Sequence, residues 1–524
     1  MPWQGGSRWA SWPTFAALAV LVVVLVALAF DDGGYFPPAF LAGGVAVFVA
    51  LAVLLVLRLP RFELITHALV ALGALAAFAA WIGLSSAWSP MPDQATVDFQ
   101  RALFYVGLFA LALMAAGTGR HVSLLPWAAL VVCCIVVGDG LIARLRPDLI
   151  EGAGDVTRLA GFRLEHPFGY WNTFGGMAAF GTVLAAGLAA DPRAKDWARA
   201  LAAGVAVPLA VAMYLSLSRG SWLALMVGGV VLVVLTPYRF SALITGALVG
   251  AAATICLLRL SALDALVDDP AAGSGQLSQG KSFTPLLLLM GIAAASAQLV
   301  VARVRQSTGM QLAADEFRRR MLLPLTGVVL LAGIVGYAMT STQVEGGSAK
   351  ALEDAGDWVD RQWDDFLLTS TYSVSGTERL TSSRGTRSDL YRVAWQGFEG
   401  HPLWGDGAGG FEWRWYQERE VQEDTREPHS LWLGTLGELG AVGLALLVAF
   451  LAAVGVGAAR GLRRPAGLRR AETAAVAAAS VVWLAHASAD WDWEMPAFTG
   501  TALLAMAAVL PAGRSRRRRR RATA

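Results

Sequence analysis

Long apolar runs leave this chain few folds to choose from. Segments such as FAALAVLVVVLVALAF (15–30) and LMVGGVVLVVL (225–235) recur along nearly its whole length. A helix needs about 20 predominantly apolar residues to cross a bilayer core. Backbone groups inside hydrocarbon must pair within the chain, which favours helices for such runs. With 56% hydrophobic and only 15% charged residues, a set of soluble domains is excluded. The expected fold is an all-α, polytopic integral membrane bundle.

Fourteen apolar spans are read near residues 14–30, 37–57, 64–84, 102–116, 122–143, 173–190, 200–217, 221–236, 241–263, 285–302, 321–341, 430–458, 472–489 and 497–511. The sequence ALAF at 27–30 resembles a signal cleavage site, but only Arg8 precedes the first span, so it is expected to stay as a helix. With the N-terminus inside, 25 of the 42 Lys and Arg residues fall on the N-terminal segment, the cytoplasmic loops and the tail. Outside two long external loops, only Arg101, Arg219, Arg259 and Lys281 oppose that bias. The positive-inside rule then sets the orientation, with both termini cytoplasmic. Arg516 to Arg521, directly after the last span, reads as an anchor at the anionic inner leaflet rather than a nucleic-acid patch.

This parity divides the chain into N-terminal helices (1–120), central helices (121–341), an extracytoplasmic loop (342–429), C-terminal helices (430–511) and a basic tail (512–524). The central part includes an external loop at 144–172 and a Ser-Arg-Gly junction at 218–220. Loops as long as 342–429 are usually functional or disordered. Within it, ALEDAGDWVDRQWDDFLL spaces Leu352, Ala355, Val359, Trp363 and Phe366 like an amphipathic helix on the outer surface. TRSDLYRVAWQGFEG reads as a second helix, with Thr386 and Asp389 spaced like a capping box. HPLWGDGAGGF reads as a Pro/Gly turn. Its G-x-G-x-x-G lacks the βαβ context of a dinucleotide site, so those glycines serve a sharp turn or a close approach.

Polar chemistry is confined to the outer boundary. Arg219 stands where one helix through 200–236 would be too long and the chain must turn. Such an arginine either snorkels or offers a fixed fork of donors to a phosphate. His429 opens a span, as a helix-capping residue or as a base whose ordinary pKa lies near neutrality. The segment DWDWE, with Asp490, Asp492 and Glu494, reads as solvated acids within an aromatic belt. The histidines show no His-x-x-x-His spacing, and Cys133, Cys134 and Cys256 lie in apolar runs as packing residues, so no metal site or disulfide framework is expected.

SRGSW at a span junction, TRSDLY…HPLWGDGAGGF and HSLWLGTLGELGAVGL, in that order, resemble the O-antigen ligase/polymerase superfamily. RLAGFRLEHPFGYWN resembles a further stretch of it, so the resemblance covers about residues 155–445. It implies a GT-C-like bundle of about 12–14 transmembrane helices in the cytoplasmic membrane. It also implies an inverting glycosyltransferase that needs no metal, cofactor or nucleotide sugar. The donor would be a glycan on undecaprenyl pyrophosphate, and the acceptor a hydroxyl of a glycan, lipid or protein. By position, Arg219 and Arg387 match the arginines expected to hold pyrophosphate, and His429 matches the proposed base. Arg158, Gly161 and Asn172 match the earlier motif. Asp490 and Glu494 are further candidates for binding substrate. Ser430 stands where the family usually has Asn or Gln, leaving the partner of the histidine open.

The rival from another class is a flippase for lipid-linked oligosaccharide. Transport calls for polar residues near the bilayer midplane, whereas Asp139, Arg259 and His486 lie towards the outer ends of their spans. A scaffold in envelope assembly would explain the loop but not Arg219. A polymerase of the peptidoglycan type would use an external acid, for which DWDWE is the candidate.

Overall fold

A computed structural model describes residues 12–58, 66–116, 121–150, 162–267, 274–307, 387–465 and 467–510. The described residues form helices and no strand. In chain order the helices are α1 (Trp12–Ala29), α2 (Pro37–Arg58), α3 (Thr66–Ser85), α4 (Pro92–Ala116), α5 (Leu124–Leu145), α6 (Trp171–Ala189), α7 (Asp196–Leu215) and α8 (Arg219–Leu235). Then follow α9 (Arg239–Leu260), α10 (Asp264–Val267), α11 (Ser274–Ser307), α12 (Arg387–Gly400), α13 (Gly410–Glu418), α14 (Leu431–Arg463), α15 (Arg470–Ala487) and α16 (Pro496–Ala507).

Nine described helices are long and apolar enough to cross a membrane, and α1, α8 and α16 are shorter apolar helices. The chain is an all-α, multi-pass membrane protein. Of the fourteen ranges read from sequence, all but 321–341 overlap a described helix; that range lies outside the described residues, as does the amphipathic segment 351–368.

Helix composition sorts these elements by depth. Helix α6, NTFGGMAAFGTVLAAGLA after its first tryptophan, is almost wholly buried, and every residue of α16 is buried. Small residues allow this closeness: a Cβ on Gly187 would lie 2.5 Å from the Cβ of Ala475 on α15. At the periphery, α2 and α11 bury only 22% of their apolar windows. Val45, Val49 and Val53 of α2 and Leu288, Leu289 and Ile292 of α11 face outward, as lipid contact requires.

The bundle has two chemically distinct ends. One gathers Arg469 on Asp191 (2.5 Å), Arg193 over the Tyr238 ring and Arg460 on His67 (2.9 Å). The other gathers α12, α13, the start of α8, the start of α14 and residues 488–495 between α15 and α16. This second end carries the site.

Helix α14 is bent at Gly440, whose φ of +65° and ψ of −166° are not helical. The break frees backbone groups that residues 402–407 take up. Asp406 and Gly407 donate from their backbone N–H to the carbonyls of Gly437 and Glu438 (2.9 and 2.8 Å). In return, Ala441 and Val442 donate to Pro402 and Leu403 (2.9 and 3.2 Å). A Cβ on Gly405 would fall 2.3 Å from the backbone of Glu438, so only glycine fits. The glycines of GDGAGG therefore serve a close approach to the chain's own backbone.

Candidate active site

Two helix starts at this end are built alike. Leu217 and His429 both adopt left-handed backbone, with φ of +48° and +53°. Each is followed by a serine that caps the next helix: Ser218 Oγ accepts from Ser221 N at 3.3 Å, and Ser430 Oγ from Leu433 N at 3.4 Å. Serine suits this place because its oxygen satisfies an amide that has no partner within the helix. Ser430 thus serves the backbone of α14, which resolves the role of the residue after the histidine. Ser218 likewise sets Arg219 as the first residue of α8, with its side chain half-buried.

Residues 488–495 tie these starts together. Asp490, 2% exposed, accepts from Tyr170 Oη (2.7 Å), Asn172 Nδ2 (2.7 Å), Arg387 Nη2 (3.2 Å) and the backbone of Trp491 (3.0 Å). Asn172 also donates to the Tyr170 hydroxyl at 2.8 Å. Burial works against the Asp490 charge, but the Arg387 guanidinium beside it holds its carboxyl below the usual range. Burial also opposes the Arg387 charge, yet Asp490 raises that guanidinium above its ordinary value, so it stays charged.

Asp492 faces the other way. Its Oδ2 is 2.5 Å from His486 Nδ1, and its Oδ1 accepts from Thr173 Oγ1 at 3.1 Å. His486 Nε2 lies 3.2 Å from Ser221 Oγ, two residues beyond Arg219. This Asp–His–Ser order invites a nucleophile reading. All three side chains are sealed, however, with Ser221 and Asp492 at 0% and His486 at 1% exposure. A substrate cannot reach the serine, so the chain fastens the start of α8 to the acidic segment.

The belt of solvated acids expected at DWDWE is thus corrected: Asp490 and Asp492 are buried hydrogen-bond centres. Their partners explain why burial is tolerated, since a buried carboxylate needs compensating donors. Apart from His486, six residues before Asp492, those partners come from positions 170, 172, 173 and 387, which no local reading could supply.

His429 is half-buried with its ring edge-on to Trp491 at 6.3 Å between centroids. Its Nδ1 lies 3.0 Å from the Glu427 carbonyl, a partner that can only accept. Nδ1 therefore carries the proton, and Nε2 presents its lone pair. Burial lowers the His429 pKa; Asp490 opposes this and Arg387 adds to it. The result is a neutral imidazole whose basic nitrogen has no hydrogen-bond partner among the described residues. The Tyr391 hydroxyl donates to the His429 carbonyl at 3.3 Å, holding the strained turn.

The candidates are thus distributed unevenly. Asn172, Arg387 and Asp490 meet directly, and His429 adjoins them across Trp491, whose ring also packs on Tyr170 at 4.6 Å. Arg219 is linked through Ser221, His486 and Asp492. Glu494 lines a separate acidic cavity. Arg158, Gly161 and Thr386 lie outside the described residues. The capping box expected of Thr386 and Asp389 therefore lies partly outside them; Asp389 itself pairs with Arg392 and accepts from Glu420 N at 2.8 Å. Sequence reasoning missed Tyr170, His486 as an anchor, and Arg163, which lies 3.3 Å over the Trp171 ring. Arg163 could have been found, since it stands inside the quoted RLAGFRLEHPFGYWN.

Fold and site together define a multi-pass membrane protein that concentrates polar chemistry at one mouth of its bundle. Residues 281–448, about a third of the chain, match the family model described as O-antigen ligase, which supports the resemblance to the O-antigen ligase/polymerase superfamily over that stretch. The matched stretch contains Arg387 and His429; Arg219, Asn172 and Asp490 lie beyond it. No curated protein gives a significant match to the chain.

Proposed function

We propose that this protein transfers a glycan from undecaprenyl pyrophosphate to an acceptor hydroxyl at the outer face of the cytoplasmic membrane. The observation that carries the reading is His429, held neutral near the Arg387–Asp490 pair, with Nε2 unpartnered among the described residues. In the step, His429 Nε2 takes the acceptor proton as the acceptor oxygen bonds to the anomeric carbon. The bond from that carbon to the pyrophosphate breaks, and undecaprenyl pyrophosphate leaves with the electron pair. Attack opposite the leaving group inverts the anomeric centre.

Arg387 and Arg219 stabilise the charge growing on the pyrophosphate, a role for which guanidinium donors fixed beforehand are suited. Asp490 orients Arg387, and Tyr170 and Asn172 hold Asp490 in turn. Arg158 is proposed to join the donor side, from its place in the matching motif.

The test compares wild type with His429→Ala at matched membrane levels, reading lipid-linked glycan and surface polymer. Loss of a general base costs about 10²–10⁴-fold in rate, so precursor should accumulate and polymer vanish. Unchanged polymer would remove His429 from the chemistry and return transport to consideration. Arg219→Ala should weaken donor use, and Arg219→Lys should restore it only in part, because lysine lacks the bidentate fork.

A further inference from the structure

The turn at 401–409, between α12 and α13, is fastened from several directions, yet its tip is apolar. Asp406, 8% exposed, takes both prongs of Arg414 (2.6 and 2.9 Å) and lies 3.0 Å from His401 Nδ1. Ala408 donates from its backbone to Ser85 Oγ at 3.0 Å, and Ser89 Oγ donates to the Ala408 carbonyl at 2.7 Å. Together with the four backbone bonds to α14, these contacts hold Leu403 and Trp404 outward, 59% and 46% exposed. A single exposed apolar side chain on a surface calls for no explanation. A Leu-Trp pair held out on so firm a mount does.

Three markers set the depth of that tip. Beyond the bend at Gly440, the stretch 441–463 makes about 34 Å of helix, against about 30 Å of hydrocarbon to cross, and Arg460 and Arg463 lie in its last turn. The membrane boundary at the site end therefore falls near the bend, level with the turn. Helix α3 stops at Ser85, the residue that receives Ala408. Trp81 of α3 donates its indole N–H to the Leu439 carbonyl at 3.0 Å, and its ring lies 5.4 Å from that of Trp88. Tryptophans gather at this level because the ring is apolar and its N–H is not.

The tip also continues a lipid-facing stripe. On α14, Ala441, Val442, Ala445 and Val448 are exposed, at the spacing of one helix face. Ala441 and Val442 are the same residues whose N–H groups bond to the carbonyls of Pro402 and Leu403. Leu403 is thus joined to the first residues of that stripe.

We infer that this turn is a membrane seat. Leu403 and Trp404 enter the interface of the lipid leaflet at the site end, Leu403 towards the hydrocarbon and Trp404 at the headgroups. The seat stands apart from the transfer chemistry proposed above and does not depend on it. Its consequence for the site is one of height. Only 431–439, about 14 Å of helix, separates the bend from the turn that carries His429. Helix α12 runs from Arg387 to the seat itself. Both elements are mounted on the lipid surface, which keeps the site within reach of groups at headgroup level.

The test places a nitroxide label at Leu403→Cys, Val448→Cys and Asp424→Cys of the full-length protein. Each variant is reconstituted into vesicles of phosphatidylethanolamine and phosphatidylglycerol, and the signal of wild type labelled alike is subtracted for the native cysteines. Collisions are read with oxygen, which concentrates in hydrocarbon, and with a neutral nickel chelate on both faces, which stays in water. Val448, 46% exposed on the stripe, marks lipid; Asp424, with its side chain 85% exposed, marks water. Expected is a ratio of oxygen to nickel collisions at 403 several-fold above that at 424 and approaching that at 448. A ratio at 403 like that at 424 would put the turn in water. Low collision rates with both reagents would put it under protein, either the rest of this chain or a second copy. Either result overturns the seat. If Leu403→Cys does not fold, Trp404→Cys is read against the same two markers.

Discussion

His429 and Leu217 sit in a backbone region that costs a residue with a side chain about 1–3 kcal/mol. In both cases the strain buys a position: the next serine caps a helix, with Arg219 opening α8 and His429 preceding α14. For His429, this placement also sets the pH response. A base must be unprotonated to act, and burial lowers the His429 pKa, so the active form persists to lower pH than for a free imidazole. The rate of transfer at low acceptor concentration should rise through a midpoint below about 6.5 and stay flat above it. A pH profile with its acidic limb at or above that value would contradict a buried, neutral histidine. The residue types were legible in HSLW and SRGSW. The tautomer was not, because it depends on the Glu427 carbonyl curling back onto Nδ1.

At the level of elements, the bend in α14 and the turn at 402–407 are two halves of one device. The turn could be read from Pro and Gly, and a span after His429 from hydropathy. That the two exchange four backbone hydrogen bonds could not, because backbone pairing leaves no side-chain pattern in sequence. Gly440 is the sensitive point: a Cβ there would lie 2.3 Å from the backbone of Leu403, and its φ is positive. Gly440→Ala should cost at least about 1–3 kcal/mol from the backbone conformation alone. The amount of folded protein in the membrane, followed by fluorescence-detected gel filtration, should fall sharply. A variant as abundant and as thermally stable as wild type would show that α14 need not bend to meet the turn.

On the scale of the molecule, charge and burial agree on two ends, one basic and one carrying the site. We expect the site end to face outward. An impermeant maleimide applied to spheroplasts should label Asp424→Cys, whose native side chain is 85% exposed at the site end. Trp197→Cys, at a position 63% exposed on the basic end, should be labelled only after lysis. Native Cys133 and Cys256 are buried and should stay silent. The opposite pattern would invert the protein and rule out an outer-leaflet donor.

Hydropathy and the periodicity of charge determined the helical class, the approximate spans and the segregation of polar residues to loops, since each depends on residues near in sequence. The histidine and the two arginines stood out because charge is costly at a membrane boundary and needs a reason. Tertiary structure alone decided that Asp490 and Asp492 are buried. Most of their partners, Tyr170, Asn172, Thr173 and Arg387, lie more than a hundred residues away, and only the packed bundle removes water and supplies them together. The acidic cavity is likewise assembled from α3, α4, α14 and the segments at 408–412, 426–430 and 491–494, none of which contains a binding motif by itself. Folding brought its carboxylates into one wall beside Arg101.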